Sequence, residues 1–257
     1  MNQHFELMQC GKPDDLMSRV RYFDSHLDID KNLKSLPLDH IVLAFAINKC
    51  VWPVALAHFG FASTHNCTYW CGRGCELAIE FFQQSRDDIL MNSVRMPWYQ
   101  CYIELYLLSC FCPQGISART AASKFLQDDL QVEAAAIPIE PALGRIALLM
   151  ASEYNDGLSQ EVDIKNANPR WKKHAKSLFD AWSALKAGNR SQFTESMIKA
   201  VTEHARKTKD DENLPIFAVA TLESAMLGRA YEKGWTDLEF PPEIAARLVT
   251  HQSLGVA

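Results

Sequence analysis

The sequence predicts an all-α fold, an antiparallel array of roughly ten helices. Three observations predict it. Apolar residues recur at helical spacing, about 3.6 residues per turn, through most of the chain. Period-two alternation is confined to short, isolated segments. Proline, glycine and polar clusters fall between the helical runs and not inside a ladder of strands. The most polar gap, Asn155 to Pro169, divides the chain into a helical subdomain over 1–155 and another over 170–257, which can also form one continuous domain.

The chain has 257 residues and is 48 % hydrophobic, enough for a sizeable core. It carries 26 basic and 31 acidic side chains, a formal charge of −5. No basic face is evident, which argues against nucleic acid as a partner. The opening stretch, MNQHFELMQCGKPDD, has no basic segment followed by an apolar one, so a secretory signal is not expected and a cytoplasmic protein is. Eight cysteines in that setting read as reduced thiols.

In order, Pro13 to His26 can form a short helix with Leu16, Val20, Phe23 and Leu27 on one side. Pro37 opens a strong run in which Ile41, Ala44, Phe45, Asn48 and Trp52 recur. Pro53 should kink or break that run. Asn48, Lys49, Pro53 and His58 interrupt the apolar stretch from Ile41 to Ala62, so a buried helix pair is expected there and a membrane span is not. His65 to Ile89 reads as a helix weakened by Gly72 and Gly74, each about 1 kcal/mol worse than alanine. Pro97 to Cys112 is aromatic, with Trp98, Tyr99, Tyr102, Tyr106 and Phe111, and reads as core. Ser117 is placed to cap an alanine-rich segment through Leu126. Ala142 to Tyr154 resumes a helix after Pro138 and Pro141.

Beyond the polar gap, Trp171, Ala175, Leu178, Trp182 and Leu185 form one face, closed by Gly188. Phe193, Met197, Ala200, Val201 and His204 form the next, capped by Asn189 or Ser191. Leu214 to Gly234 reads as one amphipathic helix of about five turns. Its Ala218, Ala225 and Gly228 allow close approach of another backbone, so it is expected inside the array. Phe240 to Val249 can make one last short helix.

The constellation closest to a site is Cys67-x3-Cys71-x3-Cys75, near His58 and His65. Spacing of four puts three thiols on one helical face, a soft-metal arrangement in principle. It is not the spacing of a zinc finger, and small apolar fillers on a buried face explain it better. Cys110 and Cys112 likewise read as core or near-core thiols. The eight histidines are scattered and form no H-E-x-x-H or H-x-x-x-H pair. Acid pairs at Asp14–Asp15, Asp87–Asp88, Asp128–Asp129 and Asp210–Asp211–Glu212 fall at helix ends or turns, where solvation accounts for them. A functional reading gathers several of them into one acidic surface offered to a basic protein.

Trp182-Ser-Ala-Leu-Lys-Ala-Gly-Asn189, Phe193 with a helix ending in His204, the helix LPIFAVATLESAMLGRAYEKG and the closing Phe240-Pro241-Pro242 form a further pattern. Over roughly residues 170 to 250 it resembles the helical immunity proteins of bacterial polymorphic toxin systems, most closely the immunity protein 49 family. There a late helix ends in Ala-x-x-x-Gly before a proline-containing stretch, a cadence that Ala230 and Gly234 reproduce. The resemblance implies an all-α protein with no catalytic activity and no cofactor or metal. It implies a cytoplasmic protein that binds a cognate toxin, a nuclease delivered for example by type VI secretion. Asp87, Asp88, Asp210, Asp211 and Glu212 are then the candidate toxin-binding residues. The alternative from another class is a helical adaptor of tetratricopeptide-like architecture that binds peptides in a groove; a third is a metalloenzyme built on the three-cysteine face.

Overall fold

The computed structural model describes residues 40–60, 66–84, 98–126, 141–158, 168–208 and 218–255. Every regular element among them is a helix: α1 (His40–His58), α2 (Cys67–Gln83), α3 (Trp98–Ser109), α4 (Gly115–Ser123), α5 (Pro141–Ala151), α6 (Pro169–Ala187), α7 (Arg190–Thr208), α8 (Thr221–Glu232), α9 (Pro242–Ala245) and α10 (His251–Leu254). None is long and apolar enough to cross a membrane. The expected helix over 13–26 lies outside the described residues.

The centre of the array is α3. Apart from Gln100 its residues from Trp98 to Ser109 are buried, and it packs against α1, α2, α4, α5 and α8. Aromatic size explains the placement, since a helix carrying Trp98, Tyr99, Tyr102 and Tyr106 must be covered on all sides to remove those rings from water. Helix α8 lies against it, with Leu222 through Gly228 and Ala230 buried. One continuous apolar cluster runs from Leu43 in α1 to Leu254 in α10, taking in residues from both sides of the polar gap.

Helix ends follow local chemistry. At the start of α6 the Asn168 side chain accepts from the Arg170 N–H at 2.9 Å, and Pro169 fills the first turn. Gly188 ends that helix at φ 76°. Asn189 then caps α7, its Oδ1 accepting from the Gln192 N–H at 3.1 Å, so α6 and α7 form a tight hairpin.

Three boundaries differ from the sequence expectation. Helix α1 runs unbroken through Pro53: the hydrogen bond that proline cannot donate belongs to the carbonyl of half-buried Lys49, and buried Val51, Val54 and Ala55 on either side hold the helix together. Ser117 is not a cap but lies inside α4, which starts at Gly115. The backbone passes within 1.7 Å of where a Cβ on Gly115 would sit, at the Ser109 carbonyl oxygen, so only glycine lets the chain turn so sharply from α3 into α4. The long helix expected from Leu214 is interrupted at Val219 and Ala220, and α8 begins at Thr221. There the Ala220 N–H donates to the Arg247 carbonyl at 2.9 Å, a tertiary bond that replaces a helical one.

A ladder of charges runs from the interior to the surface. Arg119 of α4 has a fully buried side chain, donates from Nη2 to Glu232 of α8 at 2.5 Å, and lies 4.5 Å from the Tyr106 ring centroid. Arg229 bridges Glu232 at 3.1 Å and Glu153 at 3.0 Å. Lys186 of α6 completes it, 3.3 Å from Glu153. Asn155, first residue of the polar gap, donates to the Ser123 and Leu126 carbonyls at 2.7 and 3.1 Å, pinning the chain to the end of α4.

Candidate functional site

Asp87, Asp88, Asp210, Asp211 and Glu212, the acidic candidates from sequence, lie outside the described residues, as do His4, His26, His65 and the pairs at 14–15 and 128–129. Cys67, Cys71 and Cys75 are described. They share one buried face of α2, no more than 2 % exposed, turned into the core. Burial pushes the Cys67 thiol up to about 11 and the Cys71 thiol well above its ordinary range. Such thiols stay protonated at neutral pH, and among the described residues the three do not converge as a group of metal-ligating atoms. Cys110 is fully desolvated and pushed up to about 12. Cys75 instead approaches Cys112 of the α3–α4 turn, Sγ to Sγ 3.6 Å. The hydrogen bond between them holds Cys112 below its ordinary value and Cys75 above it.

Beside this pair a cleft of about 620 Å³ opens between α2 and α4. Ile79, Pro113, Ala118 and Ala121 make its apolar wall, with Arg73 and Gln114 among its polar residues. Tyr69 lines it at 52 % exposure. Gly74 below it is required by close packing. A Cβ there would meet Leu108 Cδ1 at 2.4 Å, so this glycine lets α2 and α3 touch.

The second place lies at the other end of the chain. Among the described residues, one group of three metal-ligating side chains gathers with all ligand atoms within 4.8 Å of one another: His174 of α6, His204 of α7 and Glu223 of α8. Each comes from the inward stripe of its helix. His174 precedes Leu178, Ala181 and Leu185 at helical spacing, and His204 follows Met197, Ala200 and Val201. Glu223 sits inside the buried run of α8. His174 is 3 % and Glu223 1 % exposed, while His204 is half-buried. His174 Nε2 lies 2.6 Å from Glu223 Oε1, and its Nδ1 is buried with no partner. Burial alone would raise the Glu223 carboxyl. The facing His174 charge and hydrogen bond, with the charge of His204, more than offset that and hold it at about 2. Glu223 is therefore a carboxylate throughout the neutral range.

The sequence shows His174 and His204 as lone histidines far apart, and only the packing of three helices brings them together. The available signal was a polar residue on each of three apolar stripes, since groups buried that way must find one another.

No family model, no curated protein and no solved structure matches this chain.

Proposed function

We propose that this chain is an immunity-type inhibitor. It binds a cognate bacterial toxin in the cytoplasm, a nuclease effector of a system such as type VI secretion, and holds it inactive without a reaction of its own. The observation that carries the reading is the α2–α4 cleft. Protein interfaces draw their energy from a few large side chains seated in apolar pockets, ringed by polar groups that exclude water. Tyr69 presents unusual apolar exposure at the edge of such a pocket, and Arg73, Glu76 and Gln114 supply a polar margin. The acidic surplus of the chain suits a basic nuclease partner, and the packing pattern of residues 170–250 resembles immunity proteins.

Co-expression with the product of the neighbouring open reading frame tests this. The neighbour alone should arrest growth, and the pair should grow and co-purify one to one. Tyr69→Ala combined with Ser117→Arg, which fills the cleft, should weaken the complex at least about a hundredfold, the loss of an interface anchor and of its seat. A neighbour that is harmless, or toxic whether or not this chain is present, overturns the reading.

A further inference from the structure

We propose that His174, His204 and Glu223 form a binding site for one divalent transition-metal ion of the zinc class, fastening α6, α7 and α8 together at this point. The inference stands apart from the inhibitor reading and rests on three observations. The three donors come from three different helices yet converge within 4.8 Å. Two imidazoles and a carboxylate are a donor set suited to zinc and its neighbours, not to calcium or magnesium, which require oxygen ligands. His174 Nδ1 is buried without a hydrogen-bond partner, so it is open to carry the ring proton when Nε2 ligates.

The geometry fits with small adjustments. Ligand atoms about 2.0 Å from a tetrahedral ion lie roughly 3.3 Å apart. The His174–Glu223 contact at 2.6 Å must open slightly, and the remaining pairs, none beyond 4.8 Å, must close. His204 supplies its ligand atom from a half-buried position. Entry follows from the same burial pattern. His174 and Glu223 are enclosed, so the ion arrives past His204, and the fourth coordination position, filled by water, faces that side. Binding replaces the hydrogen bond between His174 and Glu223 by two metal–ligand bonds; His174 then ligates through Nε2 as a neutral imidazole with its proton on Nδ1, and a proton is released to solvent only from a ring that carried two.

The experiment uses the full chain, stripped with a chelator and dialysed, then titrated with Zn²⁺ and separately with Co²⁺. One ion of either metal should bind per chain and raise the melting temperature. The Co²⁺ form should show visible bands of a four-coordinate nitrogen–oxygen site without the near-ultraviolet thiolate band. His204→Ala, at a half-buried position, and Glu223→Gln, which keeps the shape and a hydrogen bond to His174, should each weaken binding by more than about tenfold. Their helical circular dichroism should match the parent's. Failure of the folded chain to bind either ion, unchanged affinity in both variants, or a thiolate band marking the cysteines as ligands each overturns the proposal.

Discussion

Gly228 of α8 lies directly against Cys110 at the end of α3: a Cβ at 228 would fall 2.6 Å from the Cys110 Cβ and 2.5 Å from its sulfur. Contact with a Cβ cannot be relieved by turning a side chain, because the backbone fixes that atom. Gly228→Ala gains about 1 kcal/mol of helix propensity, but the overlap forces α3 and α8 apart across the centre of the array. We expect a net loss of roughly 2 kcal/mol in urea unfolding. Cys110→Gly should recover part of that loss in the double variant, and Cys110→Ala should recover less. Equal stability of Gly228→Ala and parent would show that the two helices are not in contact there.

Glu104 sets a second expectation. It is fully buried in α3, accepts from Asn48 of α1 at 2.6 Å and from Gln100 at 3.0 Å, and its Oε2 has no partner. Burial pushes its carboxyl up to about 7, against the pull of those two donors. The folded state thus keeps a proton that the unfolded chain, with an ordinary carboxyl near 4.5, releases. Stability from this group is full below about pH 4.5, falls as pH rises towards 7, and stays low above it, a loss of roughly 3 kcal/mol. Glu104→Gln, neutral at every pH and still able to accept both bonds, should remove that slope and leave the protein more stable than the parent at pH 8. Chemical denaturation of both proteins from pH 5 to 8 measures it.

Arg119 is the buried end of the charge ladder. Arg119→Met keeps the bulk over Tyr106 but leaves Glu232 with Arg229 alone. Removing one member of a buried pair costs about 3 kcal/mol or more, and the lower end applies here because the Glu232 side chain is 20 % exposed. Adding Glu232→Gln should cost less than the sum of the two single changes, because both act on one contact. Strict additivity in that cycle would break the link between α4 and α8.

Among the described cysteines, Cys112 alone is not buried, and its hydrogen bond with Cys75 favours the thiolate. In a Cys10→Ser background, native protein should show one thiol that reacts rapidly with a disulfide reagent, and Cys112→Ser should abolish that phase. The other described thiols should react only as fast as the chain opens.

The helical class was legible because periodicity is a local property. Trp182, Phe193 and Met197 declare their faces without reference to the rest of the chain. Breaks were less legible where a distant group decides them. Helix α1 survives Pro53 because its neighbours are packed, and α8 starts at Thr221 because Ala220 bonds the Arg247 carbonyl. The small-residue pattern at Gly228 did foretell a close approach, though the central helix is the aromatic α3, whose rings demand more cover. Of the candidate sites, the cysteine spacing was visible and resolves into buried packing. The His174–His204–Glu223 group showed only as three separate polar residues on apolar stripes, because its spacing exists between helices and never along one.

The fastening of α1 carries a consequence for how the protein is made. His58, at the end of α1, places Nε2 2.8 Å from the Ala246 carbonyl and Nδ1 2.9 Å from Ser253 Oγ, across 188 and 195 residues of chain. A ribosome adds about 5–20 residues per second, so His58 waits roughly 10–40 s for the atoms that satisfy it. Through that interval the end of α1 leaves the exit tunnel with its imidazole and apolar surroundings uncovered. The end of α1 therefore takes its final hydrogen-bonded form only after α9 and α10 have been made, long after α1 itself.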